Sequence, residues 1–242
     1  MWQNSELKQR AKDVLKRFGF WTPFFATFIG GILTTNPDSV LSVFSESESF
    51  DSLLENEEIA GIVATMLLCL MVFSFLFNIF VGYPIMVGMN RFFMENRIGG
   101  SKIERLFYVF KSGNYLNVVK TMFIMNLKIT LWGLLFIIPG IIKSYQYYMI
   151  PYILAENPGI STKRAFELTK EMTRDEKFDI FWLGFTFIGW YFLGLITCGI
   201  PVLFVEPYIQ ATFAELYQIM RDKVHNSGVS NFEELPGFLP EQ

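Results

Sequence analysis

The sequence predicts an all-α, polytopic membrane helical bundle: six transmembrane helices as three hairpins, each preceded by a cytoplasmic amphipathic interfacial helix. Three observations predict it. Apolar residues come in near-continuous blocks of roughly 20, the length that crosses about 30 Å of hydrocarbon. The stretch Phe18–Asn90 holds no lysine or arginine. Basic residues crowd both its flanks, with Lys8, Arg10, Lys12, Lys16 and Arg17 before it and Arg91, Arg97, Lys102, Arg105 and Lys111 after it. A short serine-opened amphipathic segment recurs ahead of each pair of apolar blocks.

Composition agrees. The chain is 52% hydrophobic with 27 Phe, and its mean hydropathy is +0.34. A soluble domain would spread such residues at helix or strand period rather than in blocks. A net charge of −3 gives no reason to expect a nucleic-acid partner; the sidedness of the charge is what informs.

The elements follow in order. Ser5 opens the first amphipathic helix (5–17), with Leu7, Ala11, Val14 and Leu15 on one face and Lys and Arg on the other. Serine suits a helix start because its hydroxyl accepts from an otherwise orphan N–H. Phe18–Thr35 is the first span. A basic stretch before an apolar run also describes a signal peptide. Here the run ends without a small-x-small cleavage site, so an uncleaved membrane helix is expected. The loop Asn36–Glu58 carries Asp38, Glu46, Glu48, Asp51, Glu55, Glu57 and Glu58. An acidic loop between basic flanks belongs outside the cell, with the flanks in the cytoplasm. Ile59–Gly82 is the returning span.

Ser101 opens the second amphipathic helix (101–112), with Ile103, Leu106, Phe107 and Phe110 on one face. The next blocks are 116–138 and 141–155, separated by Pro139-Gly140. Fusing them would leave five spans and put Lys163, Arg164, Lys170, Arg174 and Lys177 outside. Splitting them gives six and keeps those residues in the cytoplasm, so the charge bias favours six. The arm Ile141–Ala155 is shorter than a full span, which predicts a tilted, protein-buried or partly re-entrant segment. Ser161 opens the third amphipathic helix (161–174), with Ala165, Leu168 and Met172 inward. Spans 178–197 and 200–220 and a cytoplasmic tail 221–242 complete the chain, a single membrane domain with both termini in the cytoplasm. Each returning arm carries a tyrosine–proline pair (Tyr83-Pro84, Pro151-Tyr152, Pro207-Tyr208). The unit of amphipathic helix, outward span and inward span therefore reads as an internal repeat.

Charges inside a bilayer cost about 2.5–3.5 kcal/mol each at a helix centre, so they mark candidate sites. Lys128 and Lys143 are basic residues that six spans leave within the membrane, and Glu206 lies deep in the sixth span. A Glu206 pair with Lys128 or Lys143 is expected. It would fix helix packing or line a substrate or ion site, and Lys143 could instead snorkel to the interface. Asn126, Tyr145, Gln146 and Tyr152 are candidate cavity-lining residues. Interhelical hydrogen bonds and an interfacial aromatic belt explain the same residues without function. Cys69 and Cys198 fall at different depths and read as small buried residues rather than a disulfide. With His225 the sole histidine, no metal-ligand spacing or cofactor motif is present. No G-x-S-x-G, H-E-x-x-H or phosphate-binding glycine loop occurs, so no enzyme is expected.

Four stretches resemble one family: Ser5–Lys16 (SELKQRAKDVLK), Leu134–Pro158 (LLFIIPGIIKSYQYYMIPYILAENP), Phe187–Trp190 (FIGW) and Pro207–Tyr217 (PYIQATFAELY). The chain resembles the bacterial integral membrane proteins catalogued as domain of unknown function 975, with the acidic loop matching least. The resemblance implies topology and compartment, the bacterial cytoplasmic membrane, and transfers no catalytic or binding residue. Two functions are expected. One is a non-catalytic multipass protein acting through membrane lipids or another membrane protein. The other is a small transporter-like bundle with a polar site around Lys128, Lys143 and Glu206.

Overall fold

A computed structural model describes residues 2–34, 57–197 and 199–238. Among the described residues every regular element is helical. Helix α1 (Asn4–Phe18) buries Leu7, Ala11 and Leu15. They lie at i, i+4 and i+8, one stripe of the helix. That stripe packs on other helices of the chain and is not offered to lipid, which corrects the interfacial placement. The helix starts at Asn4 with no side-chain cap, so Ser5 does not cap it. It stops at Gly19, whose φ of 90° suits glycine. The break leaves α2 (Trp21–Thr34) with 14 residues, which at 1.5 Å per residue reach about 21 Å, short of a full span.

Helix α3 (Glu57–Phe77), a π-turn (Asn78–Gly82) and α4 (Tyr83–Gly99) run as one continuous helix. Pro84 explains the irregularity. It has no N–H for the Phe80 carbonyl one turn back, and its ring crowds that carbonyl. The wider turn makes room: the Tyr83 N–H reaches back five residues to the Asn78 carbonyl. The Tyr115 hydroxyl, arriving from a later helix, donates to the Phe80 carbonyl at 2.6 Å.

Helix α4 is the hub of the fold, with Ile85, Val87, Phe92 and Phe93 buried. At Gly88 a Cβ would stand 2.0 Å from the Leu106 carbonyl oxygen. Only a bare backbone lets the second amphipathic segment cross there. That segment is a 3-10 turn (Ile103–Phe107) followed by the single turn α5 (Tyr108–Lys111). It corrects the expected regular helix 101–112. Leu106 and Val109 point inward, Phe107 and Phe110 are exposed, and Ser101 bonds the Glu95 carboxylate instead of capping.

Helix α6 (Tyr115–Leu135) folds back on α7 (Ile137–Gln146) through Phe136, which is extended. The turn is thus at Phe136 and not at Pro139-Gly140. Pro139 sits in the first turn of α7, where its missing N–H would be unpaired anyway. Gly140 instead lets α7 approach α6 closely, since a Cβ there would lie 2.7 Å from the Gly133 Cα. The expected arm 141–155 is really α7 plus α8 (Ile150–Glu156), and every residue of α8 is buried in protein.

Helix α9 (Thr162–Met172) buries Ala165, Leu168 and Met172, and Ser161 is its cap, accepting from the Arg164 N–H at 3.3 Å. Helices α10 (Lys177–Phe185) and α11 (Ile188–Ile196) follow one another across a two-residue turn at Thr186-Phe187 and together make one apolar stretch, Lys177–Ile196, that coincides closely with the expected span 178–197. Helix α12 (Ile200–Asn226) starts after Gly199 and outruns the expected boundary at 220.

The molecule has two zones. The core lies in α1, α4, α8, α9 and the second half of α12. Large apolar side chains are exposed along α2, α3, the α6–α7 tip, α10, α11 and the start of α12. Cys69 is exposed on α3, contrary to the buried placement, because none of the described residues covers it. Cys198 and the acidic stretch 36–56 lie outside the described residues. Among the described residues, three helical stretches are long and apolar enough to cross a membrane: Ile59–Gly99, Tyr115–Leu135 and Lys177–Ile196.

Candidate functional site

The densest polar region gathers where α4, α8, α9 and the end of α12 meet. Glu156, the last residue of α8, has a side chain with 0% exposure. It accepts from the Tyr217 hydroxyl at 2.6 Å and the Gly237 N–H at 2.5 Å, with Arg221 at 3.5 Å. A buried carboxylate survives only with such partners. Arg97 forks onto Glu215 at 2.7 and 3.1 Å. Arg91 donates to Glu95 at 2.7 Å and the Ala155 carbonyl at 2.9 Å, with its guanidinium 3.7 Å from the Tyr108 ring centre.

The tail beyond α12 is stitched to this region. Arg164 forks onto Glu234 at 2.5 and 3.0 Å and donates to the Val229 carbonyl at 2.6 Å. Asn157 donates to the Glu234 carbonyl at 3.0 Å, and Leu235 is fully buried. The hydrogen bond from Arg164 holds the Glu234 carboxyl below the ordinary carboxylate range and raises Arg164 in turn. A cavity of about 900 Å³ opens between α4, the 3-10 turn and the tail. Arg91, Glu95, Lys102, Arg105, Tyr108 and Phe238 are among the residues lining it. Glu95 there pairs with Arg91 and Arg105, and among the described residues no group of three His, Cys, Asp or Glu could hold a metal.

The residues picked from sequence fall in two separate groups. The first surrounds α7. Lys143 donates to the Gln146 side chain at 2.8 Å and stands 5.3 Å from the Trp132 ring centre. Lys128 caps the Phe166 ring at 3.9 Å. Tyr145 meets Phe181 edge-on at 5.7 Å. The Gln146 carbonyl accepts the Thr169 and Thr173 hydroxyls. The second group surrounds Glu206, which accepts from Gln210 at 2.8 Å and lies near Tyr191. Tyr148 and buried Tyr152 lie near it, and Tyr152 stacks on Tyr217 at 5.4 Å. The structure therefore joins Glu206 to neither Lys128 nor Lys143, a correction to the expected pair. Lys143 lies in the last turn of α7, the end that α9 reaches through the Thr169 and Thr173 hydroxyls. Asn126 turns back on its own helix, donating to the Met122 carbonyl at 3.0 Å.

Sequence reading missed the buried Glu156 and the tail lock. Their partners lie 61 and 70 residues away in the chain, beyond any local period. The available signal was Glu156 and Leu235 themselves, an acid at the end of an apolar run and an apolar residue inside a polar tail.

A family model described as protein of unknown function (DUF975) matches residues 24–223. No curated protein and no solved structure matches the chain.

Proposed function

This chain belongs to the DUF975 family of proteins of unknown function, and on that premise we propose a non-catalytic multipass protein of the bacterial cytoplasmic membrane. It acts through membrane lipid or a partner membrane protein. One observation carries the reading. In the helix running Ile59–Gly99, only 6% of the most apolar stretch is buried by the rest of the chain. An uncovered apolar helix of that length needs hydrocarbon or a partner around it.

In this reading the chain crosses six times as three hairpins: α2 with α3–α4, α6 with α7–α8, and α10–α11 with α12. Both termini are cytoplasmic, because the basic residues of α1, α9 and the end of α12 then share one side. The amphipathic segments form a protein-packed cap at that face. Repetition of the unit is supported by the three Tyr–Pro arms, since α4 packs against both α8 and α12. A transporter would need a polar passage linking Lys128 to Glu206. Their separation, and a large cavity lined by neither, favour the non-catalytic reading.

The test uses cysteine labelling in intact cells, with Cys69 and Cys198 replaced by serine. Ser45→Cys should react with a membrane-impermeant maleimide from outside, and Glu233→Cys only after permeabilisation. Labelling of both from the same side would sink the topology. Release of the protein by carbonate washing without detergent would sink the membrane reading itself.

A further inference from the structure

Lys128 and Lys143, which sequence reading leaves inside the membrane, converge with two other lysines. Lys128 stands over Phe166, and the Phe166 ring packs edge-on against Tyr147 at 4.9 Å. Lys143 is 5.8 Å from that same Tyr147 ring. Lys170 is one helical turn beyond Phe166 on α9. Lys177 is one turn before Phe181, which packs on Tyr145 of α7. The charges of Lys128, Lys170 and Lys177 all bear on Lys143.

Nearby acids are engaged elsewhere. Glu167 pairs with Lys163 and Arg164, Glu171 with Arg174 and Glu176 with Lys223. Asp179, two residues from Lys177, does not share its helix face. Four positive charges thus meet without a carboxylate partner among the described residues. The surface beside them is apolar, with Leu127, Leu131, Trp132, Phe178 and Trp182 exposed.

We propose that this lysine cluster, between the α6–α7 hairpin and α9–α10, is a binding site for the phosphate headgroup of an anionic phospholipid, whose acyl chains lie along the Trp132 and Trp182 surface. The site rests on the membrane reading above and names the ligand class within it. Charge complementarity selects an anion, and the apolar border selects one that carries hydrocarbon. Juxtamembrane lysines attract anionic lipid by about fivefold in association each. A lipid phosphate supplies Lys128 and Lys143 with the counter-charge that Glu206 does not.

The full chain is reconstituted in phosphatidylcholine vesicles containing brominated phosphatidylglycerol, and quenching of tryptophan fluorescence is read. Brominated phosphatidylglycerol should quench more strongly than brominated phosphatidylcholine at equal content. The exposed pair K128Q/K170Q should lower this preference by about 25-fold in relative association. The equally charged control K102Q/K111Q should leave it intact, and thermal unfolding in detergent identifies either variant that folds poorly. K128R/K170R keeps the charges and should restore the preference even if the glutamine pair unfolds. An equal preference for both lipids, an equal loss in the control, or relief of quenching by inorganic phosphate would each overturn the assignment, the last in favour of a soluble anion. Vesicles are floated after carbonate washing in parallel. Protein that floats without lipid preference sinks only this site, whereas protein that fails to float sinks the membrane reading beneath it.

Discussion

The Tyr115 hydroxyl does work that no local pattern announces. Its bond to the Phe80 carbonyl replaces the one Pro84 withholds. Tyr115→Phe keeps the ring and removes the donor, so the Phe80 carbonyl loses the bond that stands in for the missing Pro84 N–H. We expect a loss of about 0.5–1.5 kcal/mol, read as a lower unfolding midpoint in detergent, with Tyr83→Phe near neutral. The tail lock is also decided by single residues. Glu234 titrates below its ordinary 4.5 because Arg164 bonds its charged form. Its contribution to tail docking is therefore complete above about pH 4.5 and is lost as pH falls through the lowered value. Amide exchange over residues 229–238 should stay slow at neutral pH and accelerate in that acid window. Glu234→Gln should speed exchange already at pH 7, by about 1 kcal/mol after allowing for the partial exposure of both partners. Unchanged exchange in that variant would show the lock to be idle.

At the scale of elements, two glycines decide how helices meet. Gly140 lies against Gly133 across the α6–α7 hairpin, and Gly88 lies against the Leu106 carbonyl. Gly140→Val should splay the hairpin tip, and Gly88→Ala should push the 3-10 turn off α4 at a cost of about 2–3 kcal/mol. Thermal unfolding checks both, with Gly184→Ala, which meets open space, as the silent comparison. Elements were readable where a period or a cap acts locally. The stripes of α1 and α9 stand out in the sequence and are buried as stripes. Ser161 caps its helix, while Ser5 and Ser101, equally serine, do not. What separates them is the preceding backbone: Ser161 is itself extended before Thr162, whereas α1 begins one residue ahead of Ser5. The hinge at Phe136 was hidden because a nearby proline looked like the breaker, yet a proline in a first turn breaks nothing.

For the whole molecule, the proposed orientation rests on the charge bias, and that makes it testable. Replacing Glu46, Glu48 and Asp51 by lysine should lower the fraction of chains with the loop outside, measured by the same labelling of Ser45→Cys. An unchanged fraction would mean that later segments fix the orientation. Helical class and apolar blocks were legible in composition alone. The candidate site was legible only in part. Lys128 and Lys143 stood out as charges in the wrong place, but their company did not, since α9 and α10 reach them from more than 20 residues along the chain. Glu206 was paired by depth counting, and depth along a helix says nothing about which face looks where.

The bond between Tyr115 and Phe80 also sets an order of manufacture. The partners are 35 residues apart, so the ribosome releases the long helix with one acceptor whose donor has yet to be translated. Until α6 arrives, that carbonyl has only water to turn to. The first long helix should therefore settle late, held near the aqueous gate of the insertion machinery until its successor comes through. Arresting synthesis shortly before Tyr115 and shortly after α6 has emerged would give two differently protected forms of the same segment.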